Sequence, residues 1–385
     1  MTDSCRVLDF GTFGEKIADV GQLFASYANQ WDKAAKTADL NQKRIDQTGR
    51  SSSINGASAL SNATKRTSAQ FIELRTLGHG TFGEVTAVQE ISTRSEYARK
   101  LIRVRDRHSS TARDAVEKRV KEEVEIMQKL RHHHIATLLF YTKEPPGYTF
   151  TLIMLPVADY DLLHFLQEKC INQAFPKQEM KHLDRWFGCL ASALAYAHGE
   201  SIKHEDIKPT NILIKDYRPY LADFGSAKDF SESEYSVLMD AQPAGTPVYW
   251  PPEPPSQRGR PVDIFSLGCV FSEMLTVRQK QTIEAYRDAR HVPDSDNGYA
   301  FKNNLLGVQE WLTNLPGLDV DVPELLLEEI LTMLQSDPRE RPVARRVKKR
   351  LQDILEPDPN DRPLAKQARK RLRVEEGILC CAGCS

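Results

Sequence analysis

Within Lys203-His204-Glu205-Asp206-Ile207-Lys208-Pro209-Thr210-Asn211 an aspartate and an asparagine stand five residues apart, a carboxylate that can take a proton from a hydroxyl and an amide oxygen that can meet a hard cation. Further upstream, Gly78-His79-Gly80-Thr81-Phe82-Gly83-Glu84-Val85 lies between two apparent strands. Glycines there let a hairpin backbone approach phosphates and adopt positive φ, and Val85 can pack against a planar base. By itself such a glycine pattern is weak. It gains weight from its neighbours in the chain: Lys100 on the next strand can reach phosphates, and Glu123 on the helix after it can hold the Lys100 amine, whose burial unpaired would cost several kcal/mol, roughly. Asp223-Phe224-Gly225 and Pro251-Pro252-Glu253 come later in the chain.

Taken in chain order, the glycine hairpin, Lys100 with Glu123, the 203–211 loop, Asp223-Phe224-Gly225 and Pro251-Pro252-Glu253 resemble the signature set of the eukaryotic-type protein kinases, over roughly residues 71–355. The resemblance implies an α+β, bilobal protein kinase-like fold: a small β-rich N-lobe with one regulatory helix and a larger, mainly helical C-lobe. It also implies roles. Asp206 would accept the proton of a substrate hydroxyl, and Asn211 with Asp223 would hold Mg2+ against the phosphates of ATP. Oxygen ligands suit that hard cation, and a carboxylate suits the hydroxyl. Lys208 would meet the transferring phosphoryl, and Lys208 together with Thr246 in Gly245-Thr246-Pro247 matches serine/threonine rather than tyrosine kinases. Met154 would stand beside adenine, with the backbone of Leu155 and Val157 on its edge. Glu253 would pair with Arg341, and Asp263 would brace the catalytic loop, although Phe265 replaces the family's usual tryptophan.

The implied activity is transfer of the γ-phosphate of Mg·ATP to serine or threonine hydroxyls of protein substrates. The alternative is a pseudokinase scaffold that binds partners without transfer. Glu205 bears on the choice, because family members usually carry an arginine there to grip a phosphate on the activation segment. A glutamate would repel that phosphate. The departure touches regulation rather than chemistry, since every residue expected to contact nucleotide, metal or hydroxyl is present. The activation segment, 223–253, still offers Ser231, Ser233, Tyr235, Ser236 and Thr246.

The elements that must position these residues fit a chain of 385 residues with 40% hydrophobic content, enough for a sizeable core, and a formal net charge of −1 that calls for no nucleic acid or acidic partner. Residues 71–104 read as strands broken by glycine turns, followed by a charged helix around 112–130. Beyond about 158 most segments read as helical, including 181–198, 263–276 and 323–335. Apolar or small residues at 17, 20, 24, 27, 31, 34 and 38 place one stripe on a helix within an N-terminal extension, 1–45, that would lie on the body or serve a helical partner or self-association. Residues 46–70 are a polar linker, and 356–385 form a basic, cysteine-ended tail. The glycines of a second GTFGE at 11–15 lack the flanking residues of the first set and are assigned no nucleotide.

Seven scattered cysteines favour a reducing, intracellular compartment: cytoplasmic, with the nucleus or a peripheral membrane as alternatives. Membrane attachment would require lipidation of Cys380, Cys381 or Cys384 behind their basic stretch. His132-His133-His134 reads as packing rather than metal ligation, and the basic run Arg339 to Arg350 as a solvated helix face. The charged insert 291–304 is placed to shape substrate choice, without a mechanism that the sequence supplies.

Overall fold

The computed structural model describes residues 71–80, 83–104, 110–144, 149–171, 177–230, 245–295, 297–318 and 321–355. The N-terminal helix, the linker, the cysteine-ended tail and Ser231 to Ser236 therefore lie outside the described residues. The chain divides into two units, Met1–Lys65 and Arg66–Ser385, and every described residue belongs to the second.

That unit begins with an antiparallel five-stranded sheet: β1 (Phe71–Gly80), β2 (Gly83–Glu90), β3 (Glu96–Arg103), β4 (Thr137–Glu144) and β5 (Thr149–Leu155), in the order β1-β2-β3-β5-β4. Along β3 burial alternates, with Ala98, Lys100 and Ile102 on the covered face. The helix α1 (Ser110–Lys129) buries Val120, Glu123, Val124 and Met127, at steps of three, one and three residues, so a glutamate shares the stripe that faces the core. One period of two and one of 3.6 thus bring Lys100 and Glu123 to the same interior.

The remainder is mainly helical: α2 (Leu162–Ile171), α3 (Lys177–Gly199), α4 (Pro261–Arg278), α5 (Ile283–Ala289), α6 (Leu305–Thr313), α7 (Asp321–Met333) and α8 (Ala344–Leu355). In α4 every residue from Val262 to Val277 is buried, as expected of a helix apolar on all sides, and Pro261 starts it where a missing N–H costs nothing. Ala344, Val347, Leu351 and Ile354 turn inward from α8, while Arg345, Arg346, Lys349 and Arg350 face solvent. The bilobal α+β expectation holds. None of the described helices is long and apolar enough to cross a membrane.

Short strands missing from the helical reading carry the loops between the lobes: β6 (Tyr160–Asp161), β7 (Ile202–Lys203), β8 (Ile212–Lys215), β9 (Arg218–Leu221) and β10 (Lys228–Asp229). β6-β8-β9 form one small sheet and β7 pairs with β10. Strands of two to four residues have too few positions to display a period, so they leave no pattern in the sequence.

Candidate active site

Lys100 Nζ donates to Glu123 Oε1 at 2.7 Å and to Asp223 Oδ1 at 2.8 Å. Burial pushes the Lys100 amine down, but the two carboxylates outweigh it and raise its pKa above the ordinary lysine value. Burial likewise pushes Asp223 up, and Lys100 overcomes it, holding the carboxyl below its usual range. Asp223 sits in the left-handed region, φ 60, which turns its side chain back to Lys100 as Phe224 enters the core. A side chain at Gly225 would place its Cβ 3.3 Å from Asp223 Oδ1 and 3.4 Å from Glu123 Oε2, tight against the pair.

The second cluster centres on Asp206. Thr246 Oγ1 donates to its Oδ1 at 2.8 Å, Lys208 Nζ to its Oδ2 at 2.8 Å, and Asn211 Nδ2 to its Oδ2 at 3.0 Å and its backbone O at 2.9 Å. Lys208 Nζ also donates to Thr246 Oγ1 at 2.7 Å, closing a triangle. The carboxylate is thereby fixed in position, with its side chain still 11% exposed.

Beneath it lies the brace expected of Asp263, joined by a histidine that the resemblance did not single out. Asp263 accepts the backbone N–H groups of His204 and Glu205, each at 2.9 Å, and its Oδ2 lies 2.9 Å from His198 Nε2. Complete burial pushes its pKa up, but His198, His204 and the N–H bonds outweigh that and hold it down. His204 accepts the N–H of Asp206 at Nδ1 and places Nε2 3.0 Å from Ala222 O, one residue before Asp223, so it ties the two clusters together. His204 lies inside the motif, yet the two-sided contact of its imidazole has no local signal in the sequence.

Glu205 is at φ 61, also left-handed, and its carboxylate meets Lys203 Nζ at 2.9 Å and Lys228 Nζ at 3.0 Å. A negative side chain thus stands between two lysines, one at the end of β7 and one in β10. Lys228 is five residues beyond Asp223, and nothing in the sequence marks it as the partner of Glu205.

In the strands, Val85 pairs with Lys100, and Gly80 with Gly83 across the hairpin. Gly83 is required by closeness, since a Cβ there would lie 1.6 Å from Leu101 O on β3; Gly78 has open space within 4 Å. Met154 is opposite Ala98 near the end of β5, Leu155 closes the strand, and Val157 is buried two residues on. Pro156, between them, has no N–H, so Val157 supplies the next backbone donor.

Glu253 is not in the cleft. It makes a buried two-pronged pair with Arg341, at 2.8 and 2.7 Å, and the guanidinium lies 4.9 Å from the Phe265 ring centroid. Phenylalanine at 265 therefore still offers an aromatic face to the ion pair. His132 and His134 pack as expected: His132 stacks on Tyr196 and reaches Ser192 Oγ at 3.2 Å, and His134 Nδ1 lies 2.9 Å from Pro219 O.

The pattern of the Protein kinase domain family matches residues 71–372. Among curated relatives, the chain is 32% identical over 212 residues to "Cyclin-dependent kinase 2" of Caenorhabditis elegans, covering 53% of each chain. It is 28% identical over 214 residues to "Probable CTD kinase subunit alpha homolog" of Encephalitozoon cuniculi (54% of this chain, 58% of the relative). It is 28% identical over 209 residues to "Carbon catabolite-derepressing protein kinase" of Candida tropicalis (53% and 31%). The matched stretches thus span about a third to somewhat over half of these relatives' lengths.

Proposed function

The chain belongs to the protein kinase domain family, and from that premise we propose that it transfers the γ-phosphoryl group of ATP to serine or threonine hydroxyls of proteins. The observation that carries this reading is the fixed Asp206 carboxylate, held by Asn211, Lys208 and Thr246. Phosphoryl transfer needs little covalent help from the protein; it needs a positioned hydroxyl and compensated charge. Asp206 is aimed to receive the hydroxyl proton, and Lys208 stands beside it to meet negative charge on the transferring group. Lys100, set by Glu123, orients the phosphates from the sheet side.

Mg2+ fits the donor set. Asn211 spends its amide nitrogen on Asp206, which leaves its oxygen for a cation; Asp223 spends one carboxylate oxygen on Lys100 while its side chain remains half exposed. Asn211 and Asp223 would hold such a hard ion, which would supply positive charge to offset that of the phosphates. Serine or threonine as acceptor is supported by Lys208 and Thr246, the two residues that resemble serine/threonine kinases, which here bond each other and Asp206. The proposed working state does not wait for a phosphate: Glu205 ties β10, at the start of the activation segment, to the catalytic loop through Lys228.

The test is transfer of labelled phosphate from Mg·ATP to the chain itself and to a generic basic protein, wild type against Asp206→Asn. Phosphoserine or phosphothreonine that disappears in the variant is the expected result. A folded, ATP-binding wild type that transfers nothing would overturn the reading.

A further inference from the structure

Trp250 lies at the rim of the proposed site, in the segment that follows Thr246. A Cβ on Gly245 would sit 3.2 Å from Trp250 Nε1 and 3.5 Å from Asp206 Oδ1, so the indole edge and the Asp206 carboxylate flank the same glycine. An extended peptide advances ~3.3 Å per residue, so one or two residues beyond a hydroxyl at Asp206 reach the indole.

Two cations converge on that ring. The Arg258 guanidinium is 4.8 Å from its centroid and Lys302 Nζ is 5.6 Å away. Among the described residues neither has a carboxylate bonded to it, whereas the cations nearby are spent: Arg341 on Glu253, Lys203 and Lys228 on Glu205, Lys208 on Asp206. Arg258 Nε is buried without a hydrogen-bond partner. Burial lowers the Arg258 pKa, and the charges of Glu253 and Glu205 only partly offset it.

Lys302 is carried there by the charged insert. The adjacent Phe301 is fully buried, 5.6 Å from Tyr249 and 6.0 Å from Tyr286, and Arg290 stacks 4.0 Å from its ring. Tyr249 is itself fixed, its hydroxyl donating to Glu273 and its carbonyl accepting from Ser266 Oγ. The insert is thus anchored by Phe301 against the residue that precedes Trp250, and Lys302 is delivered to the ring rather than left on a free loop.

The geometry points to Trp250, Arg258 and Lys302 as a specificity site for an acidic side chain of the protein substrate, close to the acceptor hydroxyl. The inference rests on the proposed phosphoryl transfer for its biological use, but the binding itself does not. An aspartate or glutamate beside the ring is attracted by both cations, and a lysine is repelled.

The experiment uses the full chain and fluorescent peptides whose acceptor serine is replaced by alanine, with Asp, Asn or Lys placed in turn at each flanking position. At one flanking position Asp is expected to bind about tenfold tighter than Asn, and Lys more weakly than either. The advantage should shrink with added salt and fall to about twofold or less in Lys302→Met and in Arg258→Met. Melting curves confirm that each variant is folded; Lys302→Met removes only a partly exposed amine. Equal binding of Asp and Asn peptides at every position, or a preference that survives in both variants, overturns the proposal. Matching serine peptides in a transfer assay separate the two readings. Acid-selective binding without transfer removes the kinase activity alone, and transfer without acid selectivity removes this site alone.

Discussion

Glu205 Oε2 lies 3.0 Å from Lys228 Nζ, across the small ribbon that joins the catalytic loop to the start of the activation segment. The same carboxylate holds Lys203, whose side chain is only 3% exposed. Removing the charge leaves that lysine buried without a counterion, which costs more than the pair itself was worth. Glu205→Gln is therefore expected to lose about 3 kcal/mol in urea unfolding, with most of it recovered in Glu205→Gln/Lys203→Met. An unchanged midpoint in the single variant would show the pairing to be idle.

The same arrangement predicts how the activation segment responds to charge. A phosphate near Glu205 meets a carboxylate that already occupies the lysines. Aspartate at Ser231, Ser233 or Ser236 should change kcat/KM for a serine peptide by less than about threefold. A large gain would sink the phosphate-independent reading.

Thr246 Oγ1 donates to Asp206 and accepts from Lys208. Thr246→Val removes both bonds at nearly constant volume, so kcat should fall about a hundredfold while nucleotide affinity stays within about twofold. Thr246→Ser keeps the hydroxyl and should restore most of the rate. If serine and valine behaved alike, the hydroxyl would not be what positions the carboxylate.

Two glycines of the hairpin should respond differently to alanine. At Gly83 the new methyl would meet Leu101 O at 1.6 Å, so β2 and β3 must part; a loss of about 2 kcal/mol or more is expected. Gly78→Ala has nothing within 4 Å to strike and should leave the melting temperature unchanged, with any effect confined to nucleotide affinity. Comparable destabilisation by both would contradict this difference.

Burial, helped by His134 and His133, holds the pKa of His132 down at about 4. In the unfolded chain it titrates near 6.5, so as pH falls between about 6.5 and about 4 the unfolded state takes up the proton first and stability drops. Partial exposure reduces the effect to about 1 kcal/mol. His132→Gln should flatten the pH dependence across that window relative to wild type, measured by urea unfolding at pH 7 and pH 4.5. Identical slopes would remove His132 as the source.

The sequence alone determined the parts whose signal is local. The order of the glycine, Lys100, Glu123, His204–Asn211 and Asp223 motifs gives the family. The Glu253–Arg341 pair was legible through that resemblance, although 88 residues separate its members. Only the tertiary structure decided that Lys203 and Lys228 surround Glu205, that His204 links Asp206 to the residue before Asp223, and that Arg258 and Lys302 meet at Trp250. The reason is physical. A repeat or a motif is written in neighbouring residues, whereas a charge pairs with whatever the fold brings within about 4 Å, and that distance carries no trace along the chain.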